Sequence, residues 1–202
     1  PILDLAKFFN GNNESKKALA KDLRWIQEEI GFYYIINHGV SASLITDAIA
    51  QVRALHSLPM QEKLKLKVDK DTTGYIPIKS TMYVTTDAGQ NDQYDLNENF
   101  RIVRERPFDH PLILEGRRFV GPNKWPDSKV LPDFKSVMLK YYAAMEGLAY
   151  TLLPLYAMAL DLPETFFDEF FSDPIWFTRN VHYPAVDAED NQFGISPHSD
   201  HG

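Results

Sequence analysis

Leu19, Leu23, Ile26 and Ile30 recur at steps of four, three and four, which predicts one buried helical stripe ended by Gly31. The apolar stretch from Pro1 to Phe9 ahead of it reads as a strand. Phe32 to Ile36 is an unbroken aromatic and β-branched run, which predicts a buried strand. Asn37-His38-Gly39 then reads as a turn. A second helix follows, capped by Ser41 or Ser43, with the stripe Leu44, Ala48, Val52 and Leu55. The first sixty residues therefore read β-α-β-α.

Residues 57 to 130 lose this periodicity. Pro59 opens a short basic helix through Lys67, and Lys63, Lys65 and Lys67 read as a solvated face. Glycines and prolines punctuate the rest, which predicts loops around a core with one or two strands near Phe100 to Val103. Tyr75, Tyr83 and Phe100 fall here as loop packing, with a pocket wall as the alternative. The clearest helix comes next. Phe134, Met138, Tyr141, Met145, Leu148, Leu152, Leu155 and Ala159 alternate steps of four and three, with a kink expected at Pro154. Leu162 to Phe171 reads as another short helix and Ile175 to Tyr183 as a strand. An acidic turn over Asp187 to Asn191 leads into a second strand, Phe193 to Asp200. The chain thus ends while building β-structure, which predicts a piece cut inside a β-domain. Pro1 in place of Met predicts a trimmed start.

Composition narrows the chemistry. The 202 residues are 44% hydrophobic and 24% charged, an ordinary globular balance, and the net charge is −7. That sign argues against a nonspecific nucleic-acid binder and a polybasic membrane-surface protein. The chain has no cysteine, so disulfides, thiolate metal sites and a Cys nucleophile are excluded, and a reducing, cytoplasmic setting fits. The longest uncharged apolar run, Gly147 to Leu160, is too short to span a bilayer, and no secretory signal pattern opens the chain.

The sharpest chemical feature is Pro197-His198-Ser199-Asp200-His201-Gly202. In a strand His198 and Asp200 would share a face, roughly 6–7 Å apart at Cα. An imidazole and a carboxylate so placed can meet one metal, as in the two-His, one-carboxylate triad of non-haem Fe(II) oxygenases. Taken alone, H-x-D is more often a surface pair. His201 faces away from the His198 side. His38 reads as a turn residue bonded to local backbone. His182 faces opposite to Tyr183 and suits packing or hydrogen bonding rather than ligation. His56 and His110 have no partner in sequence. Arg179 either shares the Tyr183 face or serves as an ion-pair partner.

Several segments together resemble the isopenicillin N synthase-like family of Fe(II)/2-oxoglutarate-dependent dioxygenases. They are Pro1-Ile2-Leu3-Asp4-Leu5, the run from Gly31 to Val40, Leu58-Pro59-Met60-Gln61-Glu62-Lys63, Gly74-Tyr75, Asn123-Lys124-Trp125-Pro126, the run from Arg179 to Pro184, and His198 to Gly202. The resemblance implies an α+β fold in which an N-terminal helical α/β region flanks a double-stranded β-helix, or jelly roll, truncated here after its first strands. It places an N-terminal dioxygenase region with long loops at 1–130, helical support at 131–172 and the opening jelly-roll strands at 173–202. It implies Fe(II), 2-oxoglutarate and O₂, with His198 and Asp200 as iron ligands and Tyr183 as a 2-oxoglutarate contact. Val181 stands where plant members often carry Asn, and Ser199 replaces the commoner Thr. The third ligand, a distal His, and an Arg-x-Ser pair gripping 2-oxoglutarate are expected beyond Gly202. The implied reaction is oxidative decarboxylation of 2-oxoglutarate coupled to hydroxylation or desaturation of a small organic substrate, with no nucleic-acid or membrane partner. The rivals are a family oxidase that uses O₂ without 2-oxoglutarate, a scaffold that has lost its site, and a zinc hydrolase. The fragment alone is expected to be inactive.

Overall fold

A computed structural model of the chain describes residues 1–82, 85–86, 89–90 and 93–198. Its helices and sheets make an α+β protein of two compact units. One comprises Pro1–Ala50 and Ser136–Pro174, the other Gln51–Lys135 and Ile175–Gly202.

In the first unit, β1 (Ile2–Asp4) pairs in parallel with β2 (Tyr34–Ile36), and α1 (Ala6–Phe9) and α2 (Asn13–Glu29) form the crossover. Asn12 caps α2, its side chain accepting from the Ser15 N–H at 2.9 Å. Leu19, Leu23 and Ile26 pack with Leu3, Leu5, Leu155 and Ala159 in a fully buried cluster. The stripe ends earlier than expected. Ile30 is the C-cap, outside helical geometry and 43% exposed. Gly31 closes the helix with φ +82°, donating to the Ile26 carbonyl at 2.8 Å.

Three expectations for this unit change. The strand in Pro1 to Phe9 stops at Asp4, because its carboxylate accepts the Ala6 N–H at 2.9 Å and turns the chain into α1. Phe32 to Ile36 is not a buried strand. Phe32 is 82% and Tyr34 79% exposed, because this two-stranded sheet has a core on one face only. Leu162 to Phe171 forms successive turns rather than a helix, with three-residue bonds such as Phe166 N–H to Pro163 O at 2.9 Å. Exposed Phe166 and Phe170 supply no buried face to offset helix nucleation. The turn at Asn37-His38-Gly39 is as expected: Asn37 and Gly39 have φ of 54° and 78°, and His38 Nδ1 accepts from the Val40 N–H. α6 (Phe134–Ala159) runs unbroken through Pro154.

The second unit is built on an antiparallel sheet of order β3 (Gly74–Ile76), β6 (Glu98–Val103), β7 (Phe177–His182). α3 (Ala42–His56) brings His56 to it, α4 (Met60–Leu64) follows, and α5 (Pro111–Leu114) is capped by His110, whose Nδ1 accepts from the Leu112 N–H. β4 (Thr85–Thr86) and β5 (Gly89–Gln90) form a small hairpin. The register opposes Glu98 to His182, Phe100 to Asn180 and Arg101 to Arg179. Glu98, Phe100, Asn180 and His182 therefore share one face with Tyr75, and Asn99, Arg101, Val103, Phe177, Arg179 and Val181 the other. Tyr75 and Phe100 have no exposed surface and are core, not loop packing or a pocket wall. Phe100 meets Phe134 edge to face at 5.9 Å. Tyr83 lies outside the described residues.

Candidate active-site region

The most strongly organised polar group of the second unit sits on the Tyr75 face of the sheet. The Glu98 carboxylate is 7% exposed. Lys63 Nζ donates to its Oε2 at 2.7 Å and to the His56 carbonyl at 3.1 Å, and the Tyr75 hydroxyl also donates to Oε2. His182 Nδ1 lies 2.8 Å from Oε1. Burial pushes the Glu98 carboxyl up, but the hydrogen bonds from Lys63, Tyr75 and His182 outweigh it and hold the pKa at about 2. An anionic Glu98 fixes His182 as the donor, through Nδ1–H. Burial, and then the bond to the carboxylate, pushes the Tyr75 hydroxyl up.

Lys63 thus departs from the solvated face expected for it: it is 7% exposed, whereas the Lys65 side chain is 67% exposed. α4 turns Lys63 toward the carboxylate buried beside it and leaves Lys65 in water.

His56, Glu98 and His182 offer ligand atoms within 4.8 Å of one another, a spacing a metal ion would accept. The chemistry fits protons better. An ammonium and a phenol fill Oε2, and an imidazole N–H fills Oε1, so a divalent cation would have to displace His182's proton beside a fixed positive charge. His56 Nε2 is 2.9 Å from the Asn180 carbonyl and must donate to it, leaving Nδ1, 3.4 Å from Oε1, without a hydrogen-bond partner among the described residues. Burial pushes the His56 imidazole down, toward its neutral form. The group is a proton-linked brace joining the ends of α3 and α4 to β6 and β7. His182 plays the hydrogen-bonding role its strand position suggested.

The segment leading to His198 is held differently from expectation. Residues 193–198 form no strand. Instead they dock on residues 95–97. Leu96 N–H donates to Phe193 O at 2.8 Å and Asn97 Nδ2 to Gly194 O at 2.7 Å. Asp95, 1% exposed, accepts both the N–H of Ser196 at 2.9 Å and its hydroxyl at 2.7 Å. Side chains thus take backbone groups that a strand would have used in its ladder. The Ser196 carbonyl in turn lies 2.8 Å from His198 Nδ1. A carbonyl can only accept, so Nδ1 carries the proton and, in the neutral ring, Nε2 keeps its lone pair, the form a metal ligand needs. His198 is exposed, and Asp200 and His201 lie outside the described residues.

Tyr183 is 52% exposed and its ring lies on Gly194, where a Cβ would come within 2.8 Å of a ring carbon. That packing brings Tyr183 against the segment that carries His198. Sequence reasoning passed over Glu98, Asp95 and Asn97. Their one signal is a polar run, Asp95-Leu96-Asn97-Glu98-Asn99, abutting a strand-like apolar one.

A family model described as the N-terminal region of non-haem dioxygenases in morphine synthesis matches residues 1–128. Over the whole chain, the protein is 30% identical to the 2-oxoglutarate-Fe(II) type oxidoreductase hxnY of Emericella nidulans and 31% identical to the 2-oxoglutarate-dependent dioxygenase citB of Monascus ruber. It spans 58% and 62% of those proteins' lengths. Among solved structures, a full-length Neurospora crassa protein crystallised in complex with alpha-KG matches with a TM-score of 0.73 at 25% identity, over 92% of this chain and 55% of that one. A 2OG-Fe(II) oxygenase family protein from Caulobacter crescentus matches in fold with a TM-score of 0.75 at 23% identity, over 92% of this chain and 56% of that one.

Proposed function

The chain belongs to the isopenicillin N synthase-like family of non-haem dioxygenases, and from that premise we propose that it is the N-terminal part of an oxygenase that uses Fe(II), 2-oxoglutarate and O₂, as its 2-oxoglutarate-dependent relatives do, to hydroxylate or desaturate a small organic substrate. In this reading His198 and Asp200 hold the iron, Tyr183 contacts 2-oxoglutarate, and residues 173–202 open the jelly roll. The third ligand and the Arg-x-Ser pair come from sequence outside this chain, in keeping with the greater length of its relatives.

One observation carries the reading. His198 Nδ1–H is engaged by the Ser196 carbonyl, and Ser196 is clamped by two hydrogen bonds to buried Asp95, which fixes Nε2 as the nitrogen that bears the lone pair. Bound there, Fe(II) would supply the one-electron and O₂ chemistry that no side chain of the protein can. The protein's own part is to hold a neutral imidazole in one tautomer and to seat Tyr183 beside that segment through Gly194. The Neurospora crassa protein has been crystallised with alpha-KG together with thymine or 5-formyluracil, which supports a small-molecule substrate class here.

The test uses the full-length native protein. Fe(II), O₂ and a substrate panel should give succinate from 2-oxoglutarate in step with product, and His198→Ala should abolish both Fe(II) binding and succinate. Product without succinate would mean a family oxidase that does not use 2-oxoglutarate. No Fe(II) binding by the native chain would mean a scaffold.

A further inference from the structure

The second face of the β6–β7 pair carries an arrangement that none of the assigned roles uses. Arg101 and Arg179 stand directly opposite one another across the two strands. Like charges in that position repel, with side chains about 4.5–5.5 Å apart at Cβ. Arg118 joins them: its guanidinium lies over the Phe119 ring at 4.7 Å, while that of Arg101 lies 5.8 Å from Phe119 and 5.3 Å from Phe177. The two phenylalanine rings stack at 4.6 Å. The chain has 28 acidic residues against 21 basic ones, yet among the described residues no carboxylate pairs with any of these three arginines. The ion-pair role open to Arg179 in the sequence is therefore not realised among them.

Two further observations mark the cluster as built for something. Arg101 Nε and the Thr72 hydroxyl are buried without hydrogen-bond partners among the described residues, while the Arg101 Nη1 contact to the Thr72 carbonyl is long, at 3.4 Å. Buried donors are rarely left unmet, and each such group costs stability unless a ligand satisfies it. Thr72 and Phe119 also hold left-handed backbone, with φ of 62° and 61°. A β-branched and an aromatic residue meet a steric penalty there, and such strain gathers at ligand sites. Burial and the neighbouring Arg179 and Arg118 charges push the Arg101 guanidinium down, the direction expected of cations crowded together.

We propose that this face binds the carboxylate of a planar, apolar organic substrate, with Arg101 and Arg179 taking the anion and the stacked Phe119–Phe177 pair, edged by Arg118, taking the body. Guanidinium forks match a carboxylate bidentately, and the same planar cations stack on aromatic faces, so one cluster can serve both ends of such a molecule. The inference rests on the oxygenase reading, because Tyr183 follows Val181 by two residues on the chain that leaves β7, and Arg179 and Val181 share this face. It deepens that reading by naming the substrate class as an aromatic or similarly flat monocarboxylate.

The test is direct binding to the full-length native protein, without iron or turnover. 2-Naphthoate should bind and 2-naphthamide, its neutral isostere, should bind at least tenfold more weakly. Arg179→Gln, at an exposed position, should weaken 2-naphthoate at least tenfold and leave 2-naphthamide unchanged. Arg101→Gln should do the same. The readout that separates binding from structure is the ligand-free melting temperature. It should hold or rise in Arg179→Gln, because a like-charge contact is relieved, whereas a structural arginine would lower it. The proposal falls if 2-naphthoate does not bind, if acid and amide bind alike, or if either variant binds the acid as the native protein does. It falls too if 2-oxoglutarate displaces the probe competitively, which would make the cluster a co-substrate site. Because the assay needs no turnover, 2-naphthoate binding in a protein that yields no succinate would sink the oxygenase reading alone. Succinate formation without 2-naphthoate binding would sink this inference alone.

Discussion

Replacing Lys63 by Met tests whether the buried Glu98 brace holds the second unit together. The parent arrangement sets an ammonium 2.7 Å from a carboxylate that is 7% exposed. Removing the cation leaves the anion in place without its strongest partner, a change that costs about 3–5 kcal/mol in comparable buried pairs. The carboxyl's titration gives the scale of the whole brace, Lys63, Tyr75 and His182 together. A fall from 4.5 to about 2 corresponds to about 3 kcal/mol of stabilisation of the ionised form. The sign follows from the direction. A lowered folded-state pKa contributes stability that is fully present above about pH 4.5 and is lost as pH falls toward 2. In Lys63→Met the carboxyl should instead rise above its ordinary value, so the variant's deficit should be greatest at pH 7 and shrink by pH 4. Urea unfolding followed by tryptophan fluorescence at both pH values measures this. Lys65→Met serves as the control, since its partner Glu62 is a surface contact and the change should stay within about 0.5 kcal/mol. A Lys63→Met variant as stable as Lys65→Met at pH 7 would refute the brace.

Three more outcomes follow from the same geometry. Lys63→Met combined with Glu98→Leu should recover most of the lost stability, because removing both charges also removes the unpaired anion; a double variant no better than Lys63→Met would place the cost in packing instead. Asp95→Ala should release Ser196 and loosen His198, weakening Fe(II) binding by the full-length protein about 10–100-fold in an anaerobic titration, while unchanged affinity would separate Asp95 from the metal site. Gly194→Ala should force the exposed Tyr183 ring aside, costing 2-oxoglutarate affinity on the order of 1 kcal/mol, about fivefold, with a near-normal melting temperature; equal affinity would remove Tyr183 from co-substrate binding.

What the amino-acid sequence determined by itself was whatever depends on near neighbours along the chain. The stripe Leu19, Leu23 and Ile26, the stop at Gly31, the turn at Asn37 to Gly39, the long helix α6 and the strand at Phe177 to His182 all follow from local periodicity or backbone preference. The ordered motifs that pointed to the dioxygenase family were legible for the same reason, being short runs such as Gly31 to Val40. Tertiary structure alone decided how polar residues far apart in sequence would meet. Lys63 and Lys65 are alike in composition, and only the packing of α4 beside β6 makes one a buried partner of Glu98, 35 residues away, and leaves the other in water. His56 finds Asn180 across 124 residues, and Asp95 finds Ser196 across 101, which turned an expected strand into a docked loop. The meeting of Arg101 with Arg179 is likewise a matter of strand register. A periodic pattern states which face of an element is apolar. It does not state what stands opposite, and the energy of a buried charge depends almost wholly on that.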